Sequence, residues 1–146
     1  RHGIAPARAT LHGSISRKAY LAAHAEVDLI LDTFPYPGGT TTCEALWMGV
    51  PTLTLAGETL LARQGASLLM AAGLEEWVAT SEEEYIAKTI AFASDLPRLA
   101  SLRAGLRERV RNSPLFDAQR FAKNFEDALW GMWQAQNKLS STARVA

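Results

Sequence analysis

The apolar positions of this chain follow two different periods. Val27 to Leu31 and Pro51 to Leu55 are short aliphatic runs bounded by turn residues, and they read as buried strands. Between and after them the spacing becomes helical. Leu61, Gly65, Leu68 and Ala72 recur at i, i+4, i+7 and i+11, and the pattern stops at Gly73. Ser16 is placed to cap a helix over about Arg17 to Ala25. A further helix runs to about Met48, with Gly49 as the residue just past its end and Pro51 beyond it. Trp77-Val78-Ala79 reads as another short strand, as does Ala9 to Leu11. Ser81 and Glu84 have the spacing of a capping box that opens the next helix.

Strand and helix therefore alternate up to about residue 95, which predicts an α/β unit with a parallel sheet. After Ser94 only helical patterns remain. Leu99, Leu102, Leu106 and Val110 mark one amphipathic helix. Phe121, Phe125, Ala128 and Met132 mark another, entered near Asp117. Each carries a single apolar stripe and must pack on something. The organisation expected is residues 1–95 as the α/β part, 96–138 as C-terminal helices, and 139–146 as a polar, disordered tail.

Composition narrows the class. Hydrophobic residues make up 48% and charged residues 21% of 146, the balance of a soluble globular unit. The 15 basic and 15 acidic side chains cancel, which argues against broad electrostatic binding to nucleic acid or to an anionic membrane. No apolar run approaches the roughly 20 residues that span a bilayer, and the start shows no leader pattern. Cys43 is the only cysteine, so neither an internal disulfide nor a cysteine-based zinc site can form, and a reducing, cytoplasmic setting is compatible. Arg1-His2-Gly3-Ile4 reads as the interior of a longer chain. His2 and His12 suggest no role.

The candidate chemistry lies where the Val27–Leu31 strand hands over to a helix, in Asp32-Thr33-Phe34-Pro35-Tyr36-Pro37-Gly38-Gly39-Thr40-Thr41-Thr42. A helix start exposes unpaired N–H groups and the positive end of the helix dipole. Two glycines let the backbone approach an anion, and threonine hydroxyls add donors. This is a phosphate cradle, though it matches neither the Walker A nor the dinucleotide pattern. In parallel sheets ligands bind beyond the carboxyl ends of the strands, where this loop lies. The plainer reading is a turn with Thr41 as N-cap and Glu44 completing a capping box.

Asp28-Leu29-Ile30-Leu31-Asp32-Thr33, Gly38-Gly39-Thr40-Thr41 and Glu44-Ala45-Leu46-Trp47-Met48-Gly49-Val50-Pro51 together resemble the C-terminal catalytic half of the O-GlcNAc transferase and SPINDLY-like glycosyltransferases. Ala56-Gly57-Glu58-Thr59 with Arg63, Ser113-Pro114-Leu115-Phe116-Asp117 and Leu129-Trp130-Gly131-Met132-Trp133 extend the resemblance over about residues 1 to 135. It implies a GT-B enzyme of two Rossmann-like lobes, with this chain forming most of the second, donor-binding lobe. The C-terminal helix would cross back to the first lobe. The implied reaction moves N-acetylglucosamine from UDP-GlcNAc to Ser or Thr hydroxyls of proteins. SPINDLY-like members use GDP-fucose, and a non-catalytic nucleotide-binding lobe is a further alternative. The style resembles bacterial members with tetratricopeptide repeats upstream. The reaction is metal-independent, so no metal and no cofactor besides the donor substrate is implied.

Carried over residue by residue, the resemblance gives Gly38, Gly39, Thr40 and Thr41 the diphosphate. Animal members have a histidine where Gly39 stands. Glu44 would hold the ribose hydroxyls. Ile15, Arg17 and Tyr20 would surround the base, with His24 a weaker candidate. The alternatives are a solvated helix face for Arg17 and packing roles for Tyr20 and His24. Arg63 reads as a buried partner of Asp32 or Glu58. Trp47, Trp77, Trp130 and Trp133 read as core or interface aromatics, and Cys43 as a small filler. A lysine and a histidine that serve the chemistry in the family would lie upstream of this chain, so no catalytic base is assigned within it.

Overall fold

The computed structural model describes residues 3–142, with side chains described to residue 137. Three short strands, β1 (Ile30–Leu31), β2 (Thr52–Leu55) and β3 (Val78–Ala79), form a parallel sheet in the order β1-β2-β3. Ile30 lies opposite Thr52, and Thr54 opposite Val78. α2 (Thr40–Trp47) connects β1 to β2, and α3 (Gln64–Ala71) connects β2 to β3. α1 (Arg17–Ala23) precedes the sheet, and α4 (Glu82–Ser94), α5 (Leu96–Arg111) and α6 (Ala118–Thr142) follow it. The fold is thus α/β with a parallel sheet, as the alternation predicts. Among the described residues no helix is long and apolar enough to cross a membrane.

The strands are shorter than the apolar runs. β1 pairs only where β2 offers partners: Ile30 N–H donates to Pro51 C=O and Asp32 N–H to Leu53 C=O, both at 2.9 Å. Ala9 to Leu11 does not form a strand. It is exposed, follows a 3-10 turn at Pro6–Arg8, and has no strand beside it among the described residues to complete a ladder. Trp77 ends a 3-10 turn, Glu75–Trp77, and buries its indole instead of extending β3.

Both predicted glycine stops form for one reason. Gly49 and Gly73 have φ of +78° and +70°, the left-handed region that favours glycine. At α2, Gly49 N–H donates to Leu46 C=O and Val50 N–H to Ala45 C=O. At α3, Gly73 N–H donates to Met70 C=O and Leu74 N–H to Leu69 C=O. The residues just past these glycines, Val50 and Leu74, are buried, so each stop also turns the chain into the core.

That core gathers Leu46 of α2, Leu53 of β2, Leu69 of α3, and Leu99, Leu106 and Val110 of α5. The stripe predicted for α5 is therefore its buried face, with Leu102 partly covered. The opposite charge of helix ends is also served by α5. Arg107 donates to Trp47 C=O at the end of α2, Arg103 to Gly49 C=O and His24 C=O, and Arg109 to Gly73 C=O past α3. Cations at helix C-termini complement the dipole and satisfy carbonyls that lack helical partners. The stripe of α6 is different. Phe121, Phe125, Leu129, Met132 and Trp133 are exposed, and α6 meets the rest of the molecule chiefly at the turn Pro114–Phe116. The helix runs to Thr142, so residues 139–142 of the expected tail are its last turn, and residues 143–146, like His2, lie outside the described residues.

One buried carboxylate ties the sheet edge to the helices. Asp32 follows β1; its Oδ1 accepts Gly38 N–H at 2.7 Å and its Oδ2 accepts the Thr54 hydroxyl at 2.8 Å. Its carbonyl accepts the Tyr85 hydroxyl of α4 at 2.8 Å. α3 passes so close that a Cβ on Gly65 would lie 2.5 Å from Thr54 Oγ1 and 2.7 Å from Asp32 Oδ2. Burial and, second, the Asp32 charge hold the Tyr85 hydroxyl above its ordinary pKa, so it stays a donor.

α4 opens as predicted at Ser81, whose Oγ accepts Glu84 N–H at 3.2 Å. The reciprocal arm differs: the Glu84 carboxylate accepts Thr80 N–H and the Thr80 hydroxyl, and pairs with Lys88 at 2.8 Å. Lys88, then Thr80, hold Glu84 down at about 2.

Two outcomes follow. Gly65→Ala inserts a methyl group against Asp32 and Thr54 and lowers unfolding stability by about 1–3 kcal/mol, measured by urea denaturation. A carboxylate held low in the folded state adds stability above its unfolded pKa and loses it as pH falls. The stability difference between wild type and Glu84→Gln is therefore full above pH 4.5 and closes as pH falls to about 2, followed by thermal denaturation at stepped pH.

Candidate functional site

The segment between Asp32 and α2 is held at both ends by Asp32 itself, through its backbone in the ladder and its carboxylate on Gly38 N–H. Within it, the Thr33 hydroxyl donates to Tyr36 C=O at 2.9 Å, and the Phe34 ring meets Tyr85 edge-on at 5.7 Å. Gly38 is tightly enclosed: a Cβ there would lie 2.6 Å from Thr41 Oγ1 and 2.7 Å from Thr42 Oγ1. The result is an open recess of about 490 Å³ at the carboxyl end of β1, walled by Asp32, Tyr36, Gly38, Gly39, Thr40 and Thr41 among others.

α2 starts in this recess with Gly39 as its N-cap and no side-chain cap. The first backbone bond at this end is Cys43 N–H to Gly39 C=O at 3.1 Å. The N–H groups of Thr40, Thr41 and Thr42 have no acceptor among the described residues. Thr40 and Thr41 are exposed, while Thr42 is buried beneath the loop. Unpaired donors and the positive helix end thus face the recess together. The plainer capping-box reading of Thr41 and Glu44 does not form, because the helix begins two residues earlier, with Gly39 as its N-cap, and Glu44 meets Arg17 of α1.

Glu44 lies one turn into α2 with its side chain 13% exposed. Arg17 of α1, 73% exposed, brings Nη2 to 2.7 Å from Glu44 Oε1. The approach is a charge contact out of line with the N–H bonds, and Oε1 is buried without a hydrogen bond. Oε1 is thus an unmet acceptor enclosed beneath Arg17. Tyr20 lies on the same helix as Arg17. Burial and, next, the Glu44 charge raise its hydroxyl pKa.

The structure thus brings Arg17 and Tyr20 of α1 to Glu44, one turn along α2 from the loop, while the recess itself is lined by Gly38 to Thr41. Ile15 stands exposed just ahead of α1. His24 belongs to packing: it is buried, its Nδ1 is 3.0 Å from Tyr20 C=O, and its ring meets Tyr20 edge-on at 4.9 Å. Arg63 pairs with neither Asp32 nor Glu58. It donates to Gly57 C=O at 3.3 Å from an exposed position, since both Asp32 oxygens already hold other donors. Burial and the Glu44 charge push the Cys43 thiol up, which suits a filler at the helix start.

Sequence reasoning passed over Gln64, whose carboxamide lies against Gly39. The signal that could have found it is topological. Gln64 opens the helix after β2 as Thr40 opens the helix after β1, and both strands end at the same edge of a parallel sheet.

Residues 1–125 match the model of the family described as "Glycosyl transferase family 41". A Solanum lycopersicum protein described as "Probable UDP-N-acetylglucosamine--peptide N-acetylglucosaminyltransferase SPINDLY" is 45% identical over 115 residues, covering 79% of this chain and 12% of its own length. The Caenorhabditis elegans UDP-N-acetylglucosamine–peptide N-acetylglucosaminyltransferase is 31% identical over 132 residues, covering 90% of this chain and 12% of that protein. Among solved structures, a mutant of the Thermobaculum terrenum O-GlcNAc transferase matches with a TM-score of 0.83 and 42% identity, over 91% of this chain and 26% of that one. The chain therefore spans a small part of the length of these relatives. On the match of residues 1–125, and on a fold shared at 42% identity, this chain belongs to glycosyl transferase family 41.

Proposed function

We propose that this chain is the donor-nucleotide-binding part of a glycosyltransferase that moves N-acetylglucosamine from UDP-GlcNAc to Ser or Thr hydroxyls of proteins. The observation that carries the reading is the start of α2. The unpaired N–H groups of Thr40, Thr41 and Thr42 open onto a recess at the carboxyl end of β1. The names of the relatives point to the same donor and to a protein acceptor.

The chemistry asks for stabilisation of a leaving group. The acceptor oxygen forms a bond to the anomeric carbon while the bond from that carbon to the diphosphate oxygen breaks. The acceptor proton passes to a base, and the diphosphate departs with added negative charge. Fixed N–H donors and the helix dipole at Gly39 to Thr41 stabilise that charge as it develops. The Glu44 carboxylate accepts from the ribose hydroxyls, and Arg17 and Tyr20 flank the base. The acceptor site, the base and the rest of the cleft belong to a first lobe, with tetratricopeptide repeats preceding it. A cytoplasmic setting goes with this reading.

The test uses the intact protein. Calorimetric titration with UDP, GDP and dTDP should show selective binding of UDP, and a serine-containing peptide should be glycosylated with UDP-GlcNAc. Selective GDP binding moves the assignment to a fucosyl donor, and nucleotide binding without transfer to a non-catalytic lobe. Thr41→Ala should lower turnover about 10- to 100-fold, or ~1.4–2.7 kcal/mol in the barrier; unchanged kinetics would sink the loop assignment. Glu44→Ala should weaken UDP by about 10-fold while leaving 2′,3′-dideoxy-UDP unaffected, because hydrogen bonds to a charged group contribute about 1.5–3 kcal/mol.

A further inference from the structure

Gly39 is the point where α2 opens towards the recess, and the space beside it is occupied by one side chain. A Cβ built on Gly39 would lie 2.5 Å from Gln64 Nε2, 3.1 Å from its Cδ and 3.5 Å from its Oε1. The nitrogen is thus the nearer end of the carboxamide. Gln64 is exposed and is the first residue of α3. Its carboxamide hydrogen-bonds to no described residue. Its neighbour Arg63 is directed to Gly57 C=O instead. The Gln64 amide therefore has two free N–H donors lying over the glycine from which the unpaired N–H groups of Thr40 to Thr42 begin.

We propose that Gln64 is a diphosphate-contacting residue of the donor site, supplying from α3 a side-chain donor beside Gly39 that the glycine itself lacks. The proposal rests on the donor-binding reading given above. It adds a second helix start to the site. β1 and β2 are adjacent parallel strands, so the helices that follow them begin side by side at one edge of the sheet. An anion at the start of α2 would meet backbone donors from Thr40 and Thr41 and the carboxamide of Gln64 from the flank. A neutral donor adds no charge of its own, so it holds a phosphoryl oxygen without an ion pair that must be broken on product release.

The test is calorimetric titration of the intact protein and its Gln64→Ala, Gln64→Glu and Gln64→Lys variants. UDP and uridine are the ligands, or GDP and guanosine if wild type prefers guanine. Losing one hydrogen bond to a charged ligand should raise the Kd for the diphosphate about 10-fold in Gln64→Ala. Gln64→Glu, which places a carboxylate against the diphosphate, should weaken it further, and Gln64→Lys should restore it to wild-type level or better. The nucleoside, which lacks phosphate, should bind all four proteins within about twofold. A diphosphate Kd in Gln64→Ala equal to that of wild type overturns the proposal, as does a parallel loss of nucleoside affinity, which would mark Gln64 as a packing residue. If wild type binds neither diphosphate, the donor-binding reading fails and this inference falls with it. If wild type binds one and Gln64→Ala is unchanged, only the inference fails.

Discussion

Asp32 is a carboxylate with no cationic partner among the described residues, buried where β1, β2, α3 and the glycine loop converge. A charge in such a place is tolerable only if its oxygens are hydrogen-bonded, and both are, by Gly38 N–H and the Thr54 hydroxyl. This requirement sets much of the local structure. It draws the loop back over the strand end, so that α2 starts at the sheet edge. It also needs Gly65 on the passing helix, since a methyl group there would strike the acceptor oxygen and its donor. The Tyr85 hydroxyl on the Asp32 carbonyl brings α4 into the same knot. The recess at α2 is the outer surface of this buried hydrogen-bonding unit.

The helices are treated differently at their two ends. At the C-terminal ends of α2 and α3, carbonyls are met by left-handed glycines and by arginines of α5. At the N-terminal end of α2, the first N–H groups are left open and no side chain caps them. Ser81 and Asp95, by contrast, cap α4 and α5 with their own side chains. α3 also starts without a side-chain cap, and at α2 the uncapped start leaves donors available at the recess, where the dipole is positive.

The parts legible in the sequence are those set by local chemistry. The alternating strand and helix patterns, the stops at Gly49 and Gly73, and the Ser81 cap each depend on a few adjacent residues. The parts that misled depend on neighbours distant in the chain. Thr41 and Glu44 have capping-box spacing, but Arg17 on another helix draws Glu44 aside. Arg63 has Glu58 near it in sequence and Asp32 at the end of the preceding strand, yet Asp32 is already satisfied by Gly38 N–H and by Thr54 across the sheet. Ala9 to Leu11 has strand composition but no neighbouring strand among the described residues. Gln64 carries no motif, because its place over Gly39 arises only when two helices begin at adjacent strand ends. The stripe on α6 is legible from its period, and among the described residues it stands exposed.

The arginine clasp also gives the structure a direction in time. The chain emerges from the ribosome N-terminus first, and Arg107 follows the carbonyl it caps, that of Trp47, by 60 residues. At about 5–20 residues per second this separation amounts to roughly 3–12 s. Through that interval the Trp47 carbonyl is without its arginine and Leu46 without the α5 side of its core. α2 is thus synthesised before the helix that covers its far end. The covering helix meets α2 at the end away from the recess.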